Sequence, residues 1–516
     1  MIAAALTWMV VSESARSGRL LGVPRVDDVL YLARGAELLE AWRVSGVSGV
    51  VRDWLARPPH SPYVSGMALL AFALFGVKEW GPYVLAGVPV AWFLWIGAQL
   101  AARKSALAGI AVMLALACVP MFAASVQNLK PDYVAGMLGA AGVGIAAAFG
   151  GWRMRSTVCA GVCFGLAVWA KPTMAPLPGI VAVASAACMV ALPVRNTRER
   201  RIAALKHALV MLAVAGTIVG ALAVIDGARV FGYVRETLAG ESSGRWHATD
   251  SVWDRVVYHV SGTGGRLMLG EQVWTLAALV VVAVCAAWFG GRRRERAVLL
   301  SMGVPVLVAL GMVSAVPMRI AQFGACFQAG LALMAVVGLG YAARRLRIAT
   351  GRAWAGTMLV CGVAVVMLVN ARWTFPRAVT EAQRARMVEK REVAERVYAA
   401  AIQACGAGAI VFGGDPADVC PELFRLWSVR DGVQLRFGRV VDVRVGAVDS
   451  GVLGAPGDVL VVSDGRTGMT MQKRGIPGAD ERVVAAAESL PGWKIVARVS
   501  GPRGIGAFVV AKRDME

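Results

Sequence analysis

Long apolar runs alternate with short polar links along most of the chain. Runs near 62–76, 82–102, 105–125, 133–150, 157–170, 173–193, 208–226, 273–290, 297–316, 320–341 and 353–370 carry few charges. Most reach the ~17–25 residues that a helix needs to cross a hydrocarbon core. Lipid cannot hydrogen-bond exposed backbone, so these runs are predicted to be helices. The run 62–76 is short, about 22 Å against a ~30 Å core; for the Asp27 stretch to fall on the outer side, either this run enters the membrane without fully crossing it or another span boundary lies elsewhere.

Polar segments interrupt this series at two places. After a first apolar stretch, Met1–Val11, which is about half a crossing long and shows no cleavage pattern, comes VDDVLYLARGAELLEAW from Val26 to Trp42. Leu30, Ala33, Leu38 and Trp42 recur in a helical rhythm with charges opposite, the pattern of a helix lying on a membrane surface. Past Gly46 and Gly49, the arm Arg57-Pro58-Pro59-His60-Ser61-Pro62 is forced extended by its prolines. The second interruption, Ala228 to Gln272, carries Phe231, Tyr233, Trp246, Trp253, Tyr258, His247 and His259 and is predicted to be an ordered loop at the membrane interface.

From about Pro376 the pattern becomes that of a soluble domain. A helix is predicted over Val379–Cys405 and another over Glu481–Leu490. Short buried strands are predicted at 409–413, 458–463, 494–498 and 507–511. Alternating strands and helices imply a small α/β domain. Gly413-Gly414-Asp415 lacks the spacing of a dinucleotide fingerprint and reads as an ordinary turn. The predicted architecture is a polytopic α-helical membrane protein of about 11–13 transmembrane helices, with outer segments at 13–61 and 227–272 in a membrane domain over 1–375, followed by an α/β domain over 376–516.

Composition agrees with that reading. Of the 516 residues, 57% are hydrophobic and 17% charged, and the mean hydropathy is +0.61. The formal charge of +21 resides largely in the links, which points to topology and anionic lipid headgroups and away from nucleic acid. Links at Arg103-Lys104, Arg153 and Arg155, Arg195–Lys206, Arg292–Arg296 and Arg344–Arg352 are predicted to be cytoplasmic. Lys130-Pro131-Asp132, Lys171-Pro172, 227–272, Pro317-Met318-Arg319 and the C-terminal domain then fall outside the cytoplasm. Of the nine cysteines, seven sit in apolar runs as small hydrophobes. Cys405 and Cys420 lie outside them and could pair in an oxidising compartment.

Chemistry concentrates at the outer ends of the runs. Asp27-Asp28 places two like charges side by side, which can raise one pKa, although one carboxylate could equally cap the following helix. Tyr31, Arg57, His60, Lys130, Asp132, Lys171 and Arg319 supply further polar groups there. Arg57 and Arg319 could also contact lipid phosphates, and Lys171 could snorkel to the interface. No run of carboxylates or histidines offers an oxygen-rich shell, so no metal or cofactor is predicted.

The order of these motifs resembles the GT-C class of glycosyltransferases, membrane enzymes that include protein O-mannosyltransferases and the lipid A aminoarabinose transferase. That pattern has an acidic pair and a Tyr in the first outer loop, here Asp27-Asp28 and Tyr31. A Pro-Pro arm runs into an apolar segment ending in Phe-Gly, here Arg57-Pro58-Pro59 through Phe75-Gly76. An outer loop with an Asp follows at Lys130-Pro131-Asp132, and a Gly-bearing helix ends at Lys171-Pro172. The likeness covers about the first 190 residues in motif detail. Asp28 departs from it, since Glu is usual there. What the resemblance implies is inverting transfer of a sugar from a polyprenyl-phosphate carrier to a glycan, lipid or protein acceptor. Asp27, or else Asp28, would be the base, and Lys171, Arg57, Arg319 and His60 would hold the phosphate. A lipid transporter or flippase would instead place ionisable groups near the midplane of the spans, and these runs have almost none. A non-catalytic scaffold would leave the outer charges without a common purpose.

Overall fold

The protein is described by a computed structural model covering residues 1–24, 26–102, 105–150, 153–192, 198–239, 250–289, 293–371, 380–406, 408–413, 419–437, 458–463, 493–504 and 507–513. In chain order its helices are α1 (Ile2–Arg16), α2 (Val26–Ala56), α3 (Pro62–Phe75), α4 (Gly81–Leu85), α5 (Gly87–Ala101), α6 (Ala106–Ala117), α7 (Pro120–Gln127), α8 (Pro131–Ile145), α9 (Met154–Ala170) and α10 (Pro176–Ala191). They continue with α11 (Arg198–Ala239), α12 (Val252–Val260), α13 (Thr263–Leu269), α14 (Gln272–Phe289), α15 (Arg293–Ala315), α16 (Ala325–Thr350), α17 (Ala353–Val369), α18 (Glu381–Cys405) and α19 (Pro421–Asp431). The strands are β1 (Ala409–Gly413), β2 (Arg436–Phe437), β3 (Val459–Ser463), β4 (Trp493–Ser500) and β5 (Ala507–Arg513).

Among the described residues, six helices are long and apolar enough to cross a membrane, one bent pair passes the same test, and four shorter apolar helices accompany them. These eleven segments fall one for one on the eleven apolar runs of the sequence. The chain is an integral membrane protein.

Three local expectations need correction. The run 105–125 is bent by 67° between α6 and α7. Pro120, at the start of α7, has no N–H to give and its ring clashes with the preceding turn, so α6 must stop. The stretch expected to be a loop at 228–272 is mostly helical: α11 runs on to Ala239, and α12 and α13 follow. No proline interrupts Gly227–Ala239, so the membrane helix simply continues past its apolar part. The helix on the Asp27 stretch also extends beyond Trp42, through a kink at Ser45-Gly46, to Ala56. Gly46 sits there at φ 60°, ψ −149°, a conformation that a side chain resists.

The chain forms two compact units, Met1–Val10 with Arg57–Val64 and Tyr83–Thr374, and Val11–Ala56 with Ser65–Pro82 and Phe375–Glu516. In the first, α8 is buried along its whole length. Small residues let its neighbours close up. A Cβ on Gly136 would lie 2.5 Å from that of Ala325 on α16. On α9, Cβ atoms at Gly161 and Gly165 would lie 2.6 Å from the Met211 carbonyl and 2.7 Å from Ile218 Cβ, both on α11. The Trp169 indole N–H also donates to the Ile218 carbonyl at 2.8 Å. The C-terminal end of α9 is thereby fixed.

The second unit contains a five-stranded sheet of order β2-β1-β3-β5-β4. β1 runs parallel to β2 and β3, while β5 is antiparallel to β3 and β4. Its core gathers Tyr398, Phe412, Phe424 and Trp427, with ring centroids 5.0–5.4 Å apart for Tyr398–Phe424, Phe412–Phe424 and Tyr398–Trp427. A capping box of Thr380 with Gln383 starts α18. The four strands expected from the sequence are present; β2 and α19 were not foreseen. Cys405 and Cys420 are both free and buried. The Gly414-Asp415 turn, the helix expected over Glu481–Leu490, Trp246 and His247 lie outside the described residues.

Candidate active site

In the first unit, the arm after α2 is fastened to the end of α9. The Ser61 hydroxyl donates to the Ala170 carbonyl at 2.6 Å and accepts from the Val64 amide at 3.2 Å. The second contact satisfies one of the open donors at the start of α3. The Pro59 carbonyl accepts from Arg229 Nη2 at 3.2 Å. Arg229 is itself held by Asp226 through two bonds of 2.6 Å. His60 meets Tyr233 edge to face at 5.7 Å. Asp226, Arg229 and Tyr233 share one face of α11, a face invisible while 228–272 is read as a loop. The i, i+3, i+7 spacing would have found it once the helix was extended.

Lys171 closes α9. Its Nζ lies 3.3 Å from His60 Nε2 and 3.9 Å from Asp132 Oδ2. An ammonium has only donors, so in this contact His60 Nε2 is the acceptor. Asp132, in the first turn of α8, is 4% exposed. Its Oδ1 has no hydrogen-bond partner among the described residues. A buried carboxylate oxygen left open in this way costs about 1–3 kcal/mol, and such groups mark places where a ligand or water completes the set. Lys130 precedes α8 and is half-buried, and Arg57 is exposed at the start of the arm. The structure thus brings His60, Asp132 and Lys171 together.

Arg319 belongs to a different group in the same unit. It pairs with Asp250, its guanidinium lies 5.8 Å from the Tyr258 ring centroid, and its carbonyl accepts from the Tyr258 hydroxyl at 3.1 Å. Beside it, α12 is turned inside out. Val252, Trp253 and Val257 are exposed, while Arg255 and His259 are buried. A helix outside the spans that offers its apolar face outward is suited to contact with lipid. Burial pushes the His259 pKa down to about 4, because the charged ring would lose its hydration.

In the second unit, α2 begins at Val26, so Asp27 and Asp28 sit in its first turn, where negative charge complements the helix dipole. Asp28 is 1% exposed and pairs with Arg19 at 3.5 Å. Tyr31, one turn further on, is buried. The Asp27 side chain lies outside the described residues. Farther along α2, Arg34 pairs with Asp53 at 2.6 Å and Glu37 at 2.9 Å, and Glu37 with Arg425 of α19 at 3.7 Å.

The helical bundle with an α/β domain after it is similar in fold to solved membrane proteins of the GT-C type. No family model and no curated protein matches the sequence. Among the solved structures similar to it are two of ArnT, the lipid A aminoarabinose transferase, from Cupriavidus metallidurans. The apo form aligns at a TM-score of 0.57 and 15% identity over 98% of each chain. The form bound to undecaprenyl phosphate aligns at 0.59 and 15% identity, over 98% of this chain and 97% of that one. The chain is similar to these in fold from end to end.

Proposed function

We propose that this chain transfers a sugar from a polyprenyl-phosphate carrier to a glycan, lipid or protein acceptor, on the side of the membrane away from the cytoplasm. The observation that carries the reading is the Lys171–His60–Asp132 group where α8 begins and α9 ends, within a fold shared with an enzyme solved with undecaprenyl phosphate. Lys171 supplies positive charge where a phosphate dianion would leave, and Arg57 and Lys130 add to it, while Arg319 stands apart, paired with Asp250. Asp132 holds Lys171 in place. An acceptor oxygen or nitrogen forms the bond to the anomeric carbon as the carbon–phosphate oxygen bond breaks. The electron pair goes to the phosphate oxygen, and the acceptor proton goes to Asp27. One displacement inverts the anomeric centre. Asp28 is buried against Arg19, which favours Asp27 as the base.

Mass spectrometry of the lipid pool tests this in cells carrying wild-type chain, Asp27→Asn or none. The expected result is that Asp27→Asn matches the null, with a polyprenyl-phosphate sugar accumulating, while purified Asp27→Asn still binds undecaprenyl phosphate. Wild-type behaviour of the mutant would remove Asp27 as the base. Identical lipid pools in all three would favour a transporter.

A further inference from the structure

Within the second unit, one face of α18 lies along the segment that leads into the acidic pair. Arg384, Met387 and Arg391 share that face at i, i+3, i+7 spacing. Gly18, at φ +80°, has room for no side chain, since its Cβ would lie 2.8 Å from Arg384 Cγ. A Cβ on Gly22 would lie 3.2 Å from Met387 Cβ. Arg391 donates to the Gly22 carbonyl at 3.4 Å. The same guanidinium is clamped by both oxygens of Glu79 at 3.0 Å and by Glu395 at 3.0 Å, so it is a fixed point and not a swinging side chain. Arg19, between the two glycines, reaches Asp28 at 3.5 Å. Pro24, whose ring fixes φ, stands between Gly22 and the start of α2. Pro24 removes one of the free torsions between Gly22 and α2, and Arg19 ties the same segment to Asp28 directly.

We infer that α18 is the bed on which the acidic pair is set, and that Arg391 is a positioning residue for the proposed base. The soluble region then serves transfer by holding Asp27 and Asp28 in register. This rests on the reading of Asp27 given above. The reason for an arginine here is its fork: it can hold Glu79 with two bonds and still offer a donor to Gly22.

The test uses the full chain with Gly22→Val, which crowds Met387 and leaves the Arg391–Glu79 clamp untouched, and with Arg391→Ala and Arg391→Lys. Three measurements are made: hydrogen–deuterium exchange, undecaprenyl phosphate binding, and clearance of the carrier-linked sugar in cells lacking the wild-type chain. Gly22→Val is expected to melt close to wild type and bind undecaprenyl phosphate normally. Amides of 17–30 should exchange about three- to ten-fold faster, and clearance should fall about ten-fold. Arg391→Ala should do the same with added loss of stability, and Arg391→Lys should recover part of the clearance. Wild-type clearance in a folded Gly22→Val or Arg391→Ala chain, or unchanged exchange over 17–30 in them, overturns the inference. If Asp27→Asn is inert while these variants work normally, only the positioning role fails. If Asp27→Asn itself clears the sugar, the assignment of the base fails and takes this inference with it.

Discussion

Two charged groups, one in each unit, are buried to similar degrees and satisfied to very different ones. Around Glu79, Arg391 gives both oxygens a bond of 3.0 Å and the Trp427 indole adds one of 3.1 Å. Around Lys171 the contacts are 3.3 and 3.9 Å, and Asp132 Oδ1 is left open among the described residues. Side-chain exposure hardly differs, 13% and 22% for Glu79 and Arg391 against 4% and 14% for Asp132 and Lys171. A saturated group spends its polarity on holding the fold. An unsaturated one at the same depth keeps polarity for something that the described residues do not supply, as functional sites commonly do.

The comparison breaks most visibly at Glu79. Glu79→Ala takes the acceptor of the buried Trp427 N–H and leaves half-buried Arg391 with only Glu395 and the Gly22 carbonyl; it is expected to cost about 2 kcal/mol, read by thermal unfolding in detergent. Undecaprenyl phosphate binding should not change. A melt equal to wild type would show that the clamp contributes nothing.

Lys171→Gln should act the other way round. Undecaprenyl phosphate affinity, measured by native mass spectrometry, should fall ten- to fifty-fold, which is about 1.4–2.3 kcal/mol. Equal affinity would place the phosphate elsewhere.

His259 sharpens the contrast, since it is a third buried group, fully shielded, with neither ring nitrogen bonded among the described residues. Its pKa is lowered from 6.5 to about 4, so between those values the unfolded chain binds a proton that the folded chain does not. Its contribution is unimpaired above pH 6.5 and is lost as the pH falls toward 4. Thermal midpoints measured from pH 7 to 4.5 should fall more steeply for wild type than for His259→Gln. Parallel curves would show that the ring does not titrate differently on folding.

The smallest expected effect is on the stability of Asp132→Asn, within about 1 kcal/mol of wild type in either direction. Removing an incompletely bonded carboxylate relieves a penalty while it loosens Lys171. Transfer should nevertheless drop, measured by accumulation of the carrier-linked sugar. A large loss of stability would mean that Asp132 belongs with Glu79 and not with an open site.

Much of this molecule is written locally. Apolar runs with few charges must become helices in lipid whatever their neighbours do, so eleven segments and the change to an α/β pattern past Pro376 are legible from the order of residues. The extension of α11 past its apolar part left no such mark, because polar helix and polar loop look alike when hydropathy is the signal. Motif order also brought His60, Asp132 and Lys171 to notice, since each ends or begins an apolar run. What the sequence could not state is pairing. That Lys171 meets His60 and Asp132, that Arg229 holds Pro59, and that Arg391 spans to Glu79 and Gly22 across 312 and 369 positions depends on how helices pack. Such contacts are set by close approach at glycines and by the directions of helix ends, quantities that exist only once the chain has folded.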